Sequence, residues 1–414
     1  MILEILLLIF SVVFAAYTFR HLVFVGAVAL QRDNRADFQG HSGLFLPAVT
    51  IIIAARNEER VIGRLLQRIA CFTYPKEKLD IIIVDDKSTD STGRIADDFV
   101  QQYPYFSTIH RFEGGRGKSN CLNVAFPNAS GDIIVVFDAD YYPQLDLLEK
   151  LVCYFVDPQV AIAQGRVTVL NEKESIVTRL VALERTSGYM IDQVARDRLD
   201  LTPQYAGTVA AIRRTFLQAT GGWDESILAE DTDLTLEAVT MGWKVRYTTA
   251  AESYEEAVST WRAYRRQRRR WAYGHTQCAL KHLVPVLSTR HLGIWQKVDA
   301  LLMMGVYMVP FLVGLGWVLG VAMLLVGSSL FPSIFLAAQA IFLFGTVGNF
   351  APFFEVVCSM RLDRRSMRLR DLIVLAIGFV FNVAISVDAL ISLFKDWLVG
   401  ERLVWVPTVH TGGA

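Results

Sequence analysis

The chain lacks the cysteine patterns that build disulfide-stapled or zinc-stapled folds. Its five cysteines, Cys71, Cys121, Cys153, Cys278 and Cys358, show neither CxxC spacing nor a paired arrangement. They read as reduced, buried residues, which excludes a zinc ribbon and a disulfide scaffold. A surplus of either charge is also missing, with 41 Lys+Arg against 41 Asp+Glu. A bulk nucleic-acid binder needs a basic surplus, so no nucleic-acid partner is expected. Neither GxGxxG nor GxxxxGKS/T occurs, which removes support for the usual dinucleotide and P-loop readings. The pattern of a secretory leader is absent too, because positive charge follows the first apolar run instead of preceding it.

What is present is apolar surface in long runs. Mean hydropathy is positive, as expected of a membrane protein with a sizeable water-soluble part. Ile2 to Leu30 is apolar apart from Glu4, Arg20 and His21, and Arg32 and Arg35 follow. Residues 1–31 therefore read as a signal anchor whose C-terminal flank is cytoplasmic. In the region 298–398 the runs Val298–Gly327, Leu330–Cys358 and Leu372–Phe394 are each long enough to cross a bilayer. The loop Met360–Asp371 carries Arg361, Arg364, Arg365, Arg368 and Arg370, and is expected in the cytoplasm. Four simple spans would put the tail, residues 399–414, on the opposite side.

Residues 47–285 have a different character. Val49–Ala55, Asp80–Asp86 and Asp132–Asp138 are β-branched runs, each alternating with a helical pattern (Glu58–Cys71, Thr89–Gln102, Ser119–Phe126). Such runs predict a mainly parallel sheet covered on both faces, an α/β fold. Ligands of these sheets bind beyond the carboxyl ends of the strands. There the sequence places Arg56-Asn57-Glu58, Asp85-Asp86 and Asp138-Ala139-Asp140. Gly114-Gly-Arg-Gly-Lys118 reads as a loop presenting Lys118. An extended backbone aims Asp138 and Asp140 the same way, and two such carboxylates repel without a cation between them. All-oxygen ligands select a hard ion, Mg²⁺ or Mn²⁺.

Glu230-Asp231 opens a helix, Thr232–Met241, where Asp231 suits an N-cap, a catalytic base or both. Further on, Gln267-Arg268-Arg269-Arg270-Trp271 lies just ahead of the membrane runs. On a helix Gln267, Arg270 and Trp271 share one face, which suits a diphosphate beside a sugar ring. The remaining arginines point elsewhere, toward anionic lipid heads. Amphipathic stretches near Glu174–Asp197 and Trp261–Leu283 would seat the soluble part on the membrane. Intramembrane Asn382 and Asp388 either face a polar path or bridge packed helices, and bridging is the favoured reading.

These motifs, in this order, resemble those of the membrane-embedded family 2 glycosyltransferases, the group of cellulose, hyaluronan and poly-N-acetylglucosamine synthases. The resemblance covers roughly residues 47–285 and the flanking membrane pattern. It implies a GT-A (Rossmann-like) catalytic domain and a UDP-sugar donor, UDP-glucose or UDP-N-acetylglucosamine. It further implies that Ala55, Arg56, Glu58 and Asp86 line the nucleoside pocket, and that Lys118 and Arg270 face the diphosphate. Asp138 and Asp140 would hold the metal, with Asp138 also near the donor. Asp231, beside Glu230, would be the base. Gln267 and Trp271 would form the acceptor floor, next to a loop containing Gly207 and Thr208. The Phe-Phe-Cys-Gly-Ser loop of cellulose synthases is not found there, which puts cellulose in doubt as the product. Trp405–Thr411 resembles the tail that covers the nucleotide in such enzymes, with Pro407 and His410 in place of basic residues.

The implied activity is inverting transfer to a growing β-linked polysaccharide at the plasma membrane, processive and coupled to secretion. The alternative is one sugar added to a lipid, as by ceramide glucosyltransferase. A non-enzymatic membrane scaffold has no use for the ordered carboxylates.

Overall fold

The structure, a computed structural model, describes residues 2–30, 45–115, 117–326, 351–400, 403 and 412. Eight strands form one sheet: β1 Val49–Ala55, β2 Leu79–Asp85, β3 Phe106–His110, β4 Ile133–Asp138, β5 Tyr142–Pro143, β6 Val160–Val169, β7 Ala210–Arg213 and β8 Lys244–Glu255. Helices α1 Ile2–Leu30, α2 Ile62–Ala70, α3 Thr92–Gln102, α4 Lys118–Ala125, α5 Leu147–Val152, α6 Ile176–Ser187 and α7 Gln193–Arg198 precede β7. After it come α8 Arg214–Thr220, α9 Glu230–Thr240, α10 Trp261–Ser288, α11 Ile294–Gly305, α12 Val309–Val326, α13 Ala351–Leu362 and α14 Leu369–Val399. A π-helical turn, Gly188–Asp192, joins α6 to α7.

The sheet order is β3-β2-β1-β4-β7-β6-β8-β5. The first four strands are parallel as expected, with Ile52 of β1 level with Ile82 and Val136. Beyond β4 the sheet is mixed: β6 and β8 still pair in parallel, but β7 and β5 depart from the expected direction. β7 runs antiparallel to both β4 and β6, and β5 pairs antiparallel with the end of β8. Strand composition reports burial on two faces and does not encode the direction of the neighbour.

Alternation along β1 divides its side chains between two cores. Val49, Ile51 and Ile53 pack with Leu65, Leu66 and Ile69 of α2, while Ile52 packs with Leu122 of α4, Phe216 of α8 and Leu234 of α9. Each fully buried aliphatic side chain contributes about 1.5–3 kcal/mol, so this pattern ties the helices to both faces. Sequence adjacency at the strand ends then brings the polar residues to one edge.

Among the described residues three helical segments are long and apolar enough to cross a membrane: Leu8–Leu30, Ile294–Leu319 and Leu369–Val399. The expected Leu330–Cys358 run lies mostly outside the described residues, and its end from Ala351 onward falls in α13, which continues to Leu362. Arg20 of α1 is bound to Asp192 at 2.7 Å and to Asp299 of α11 at 3.3 Å, and Asp299 also binds Arg196 of α7 at 2.9 Å. The arginine-rich loop returns to the segment between β6 and β7, where Arg179 of α6 binds Asp371 at 2.8 Å and Arg365 pairs with Glu172. Gly412 also lies there, its N–H 3.1 Å from the Glu256 carboxylate, whereas Trp405–Thr411 are outside the described residues.

The arginines outside the Gln267, Arg270 and Trp271 face do not take the expected lipid-surface role throughout. Arg265 binds Asp388 at 2.5 Å, Arg269 donates to Ser392 at 2.7 Å, and Arg268 pairs with Glu184. Tyr264 donates to Asn382 at 3.2 Å and Tyr273 to Asp396 at 2.5 Å. Asn382 and Asp388 are thus bridging residues. A charge inside apolar surroundings is stabilised by pairing more than by pointing outward. Cys71 departs from expectation as well, being exposed, although none of the five cysteines is paired.

Candidate active site

A cavity of about 400 Å³ opens at the carboxyl edge of the sheet. Ala55, Arg56 and Glu58 follow β1, Asp86 follows β2, and Lys118 begins α4. Asp138 ends β4 and Asp140 lies in the turn after it, Gly207 and Thr208 precede β7, Glu230 and Asp231 begin α9, and Gln267, Arg270 and Trp271 lie on α10. All of these residues line that one cavity.

Asp86 is buried and fully engaged, accepting from Arg111 Nη1 at 2.8 Å and from the Gly115 N–H at 2.9 Å. Arg56 lies 4.0 Å from the same carboxylate. Arg111 had no signal in the sequence beyond its place after β3.

Asp138 and Asp140 do not share the extended backbone expected of them, because β4 stops at Asp138 and residues 139–140 form a turn. Lys118 Nζ pairs with Asp138 and donates to the Gly207 carbonyl at 2.7 Å. Burial pulls the Lys118 ammonium down, but Asp138, Glu230 and Asp231 more than compensate and hold it above its ordinary value. Asp140 Oδ2 accepts from the Glu256 N–H at 3.3 Å. Burial, together with the carboxylates of Asp140, Asp138, Asp90 and Glu256, pushes Glu58 up to about 9. That corner is over-supplied with negative oxygen, and a hard divalent cation fits it chemically. Asp138 and Asp140 do not belong to any set of three close protein ligands found among the described residues. The one such set, His21, Asp192 and Glu355, is occupied by its own contacts with Arg20 and Ser187.

Asp231 is not an N-cap. Ala229 holds that position, and the carboxylate lies in the first turn of α9, where its Oδ1 accepts from the Thr232 N–H at 2.6 Å. The helix N-terminus favours this negative charge. Burial nevertheless raises Asp231, against the Thr232 hydrogen bond and the charges of Lys118 and Arg270; burial and Asp231 itself raise Glu230. Gly207 sits at φ +79°, and a Cβ there would lie 3.2 Å from Asp231 Oδ2. Glycine supplies both the left-handed backbone and the room beside the carboxylate.

Trp271 is held by two guanidiniums, with Arg268 4.4 Å and Arg185 5.2 Å from its ring centre. Each cation is anchored: Arg185 on Glu255 at 2.7 Å and Arg268 on Glu184. Cation–π contact with these anchored charges fixes the indole at the cavity wall. Sequence reasoning missed Arg185, Glu184 and Glu255, because they come from α6 and β8, far from Trp271 in the chain. Arg270 differs from its neighbours: it makes no hydrogen bond or ion pair among the described residues, while lining the cavity beside Glu230 and Asp231. The wall also includes Arg20, Asp192, Arg196, Leu302, Met303 and Val306, so the cavity reaches two of the segments long and apolar enough to cross a membrane.

Residues 47–274 match the model of the family described as "Glycosyltransferase like family 2". A probable glycosyltransferase of Bacillus subtilis, YdaM, is 30% identical over 410 residues, covering 94% of this chain and 91% of the relative. The beta-monoglucosyldiacylglycerol synthase of Synechocystis is 35% identical over 257 residues, 61% of this chain. Glucomannan 4-beta-mannosyltransferase 9 of Arabidopsis thaliana is 26% identical over 62% of this chain. The matches span about half the length of these last two relatives, 53% and 49%. Among solved structures, the mannosyltransferase PcManGT of Pyrobaculum calidifontis, in complex with GDP-Man and Mn²⁺, superposes with a TM-score of 0.63. It is 21% identical, covers 96% of this chain and all of its own, and shares the GT-A fold. The chain belongs to the family 2 glycosyltransferases.

Proposed function

We propose that this glycosyltransferase carries out inverting transfer from a UDP-sugar to a hydroxyl of a β-linked saccharide growing at the membrane. The observation that carries this reading is the meeting, in one cavity, of partly buried Asp231 with the guanidinium of Arg270, which makes no ion pair among the described residues. Asp231 takes the proton of the acceptor hydroxyl, whose oxygen attacks the anomeric carbon from the face opposite the diphosphate. The bond between that carbon and the diphosphate breaks, and its electron pair leaves on phosphate oxygen. One such displacement turns an α-linked donor into a β-linked product. Arg270 and Lys118 offset the charge gained by the diphosphate. Trp271 presents a flat, apolar face to the acceptor ring, with Gln267 at its edge.

Asp138 and Asp140 are the residues that would hold Mg²⁺ or Mn²⁺, and such an ion would supply a hard positive charge to the phosphate oxygens. Asp140→Ala should remove most turnover, on the order of 10²–10³-fold, the usual cost of losing charge stabilisation at a site of this kind. Excess EDTA should have the same effect on the unaltered enzyme. Undiminished turnover under EDTA would refute the metal requirement.

The membrane end of the cavity bears on the acceptor. Arg20, Asp192, Arg196 and Gln193 supply donors and acceptors suited to a hydroxyl-rich ligand, which supports a saccharide. Leu302, Met303 and Val306 on the same wall favour a second reading, a glycolipid acceptor entering from the bilayer. The name of the 35% identical diacylglycerol-linked relative points the same way. Docking of the arginine-rich loop on the catalytic domain supports a cytoplasmic site. Purified enzyme, given labelled UDP-glucose, UDP-N-acetylglucosamine and GDP-mannose with mixed lipids, separates these readings. High-molecular-weight product supports the polymer, and a single-sugar lipid replaces it with the second reading.

A further inference from the structure

Gly274-His275 follows the Gln267–Trp271 stretch on α10 and has no part in the chemistry above. A Cβ on Gly274 would lie 2.6 Å from the Ala229 backbone nitrogen, so glycine is what lets α10 touch the start of α9. Two further contacts secure that approach. Gln277 Oε1 accepts from the Leu228 N–H at 3.1 Å, and Cys278 Sγ donates to the Ala229 carbonyl at 3.5 Å. His275 is thereby delivered to the first turn of α9, with Nε2 3.2 Å from the Thr232 hydroxyl. That hydroxyl lies 3.4 Å from Asp231 Oδ1, the oxygen that also accepts from the Thr232 N–H. A separation of 3.4 Å is long for a settled O–H···O bond and typical of catalytic contacts before substrate tightens them.

The bonding around Thr232 Oγ1 decides where its single proton points. A hydroxyl has one proton and two acceptor sites. Gln204 Nε2 donates to it at 2.7 Å and can only donate there. The backbone of Gln204 is held by the Gln193 side chain, which donates to its carbonyl at 2.6 Å and accepts from its N–H at 2.8 Å. If His275 Nε2 carries the imidazole proton, Oγ1 accepts from both Gln204 and His275, and its own proton is left for Asp231. If Nε2 is bare, it competes with Asp231 for that proton. His275 Nδ1 is buried and has no hydrogen-bond partner among the described residues. An unpaired buried acceptor is tolerated better than an unpaired buried N–H, which selects the Nε2–H tautomer. Burial, together with Arg196, pulls His275 down to about 4, so the ring stays neutral. Tyr307 packs against it at 4.7 Å.

We infer that His275 is a positioning residue for the catalytic base: by donating to Thr232 Oγ1 it turns the Thr232 hydroxyl onto Asp231 and holds that carboxylate in its reactive orientation. The inference rests on the reading of Asp231 as the base. His275→Ala should lower kcat roughly 10–100-fold, the worth of one hydrogen bond to a charged group, with donor KM unchanged. His275→Gln, which restores an N–H near the position of Nε2, should recover most of that loss. In the Asp231→Asn background, His275→Ala should cost nothing further. An Ala variant with wild-type kcat, a folded Gln variant as slow as Ala, or a full extra loss on top of Asp231→Asn overturns the inference and leaves the base assignment standing. Wild-type transfer by Asp231→Asn alone overturns the base assignment, and this inference with it. Should His275→Ala not fold, Thr232→Val carries the same kcat expectation, because it removes the hydroxyl at nearly constant shape.

Discussion

Asp231→Asn is expected to lower kcat by roughly 10²–10⁴-fold, the range that a positioned general base supplies. The amide cannot accept the proton, yet it keeps the shape of the carboxylate and its bond from the Thr232 N–H, 2.6 Å long in the parent. Donor affinity should therefore survive, measurable by calorimetry with the nucleotide sugar. The same carboxylate predicts a pH dependence. Burial raises Asp231 above its ordinary value, and only the ionised form can act as a base. Activity should consequently fall on the acid side at a pH above the usual aspartate range, and that acid limb should vanish from the residual rate of Asp231→Asn. Near-wild-type turnover in the variant would remove Asp231 from the mechanism.

Asp299→Ala should have the largest effect on stability. Its carboxylate is 4% exposed and lies between Arg20 and Arg196, at 3.3 and 2.9 Å. Arg20 retains Asp192, but the Arg196 guanidinium, itself 5% exposed, loses its only ion pair among the described residues. Leaving one member of a buried pair without its partner typically costs about 3–5 kcal/mol. A matching fall in the thermal midpoint, followed in detergent, is the expected result. The double variant Arg196→Met with Asp299→Leu removes both charges at similar volume and should regain most of the loss. If Asp299→Ala melts like the wild type, the Asp299 ion pairs contribute nothing measurable to holding these helices together.

Much of the site could be read from local pattern. Strand ends at Ala55, Asp85 and Asp138 were legible because β-branched runs stop where polar residues begin, and parallel strands bring those ends to one edge. The i, i+3, i+4 geometry of Gln267, Arg270 and Trp271 was legible for the same reason, and all three line the cavity. Periodicity describes faces, however, and says nothing about partners. It could not tell that Arg265 and Arg269 find Asp388 and Ser392, each 123 residues away. Nor could it find the hold of Arg185 and Arg268 on Trp271.

The sequence by itself determined the repeating strand and helix units, the carboxylates at the strand ends, the apolar runs and the basic face of α10. These follow from residue type and short-range period, which act within a turn or a strand. Tertiary structure alone decided the reversed direction of β7, the pairing of Arg265, Arg268 and Arg269 with distant partners, and the delivery of His275 to Thr232 beside Asp231. Each depends on which surfaces meet across long chain separations, where close approach at a glycine such as Gly274 and the pairing of buried charges select one arrangement.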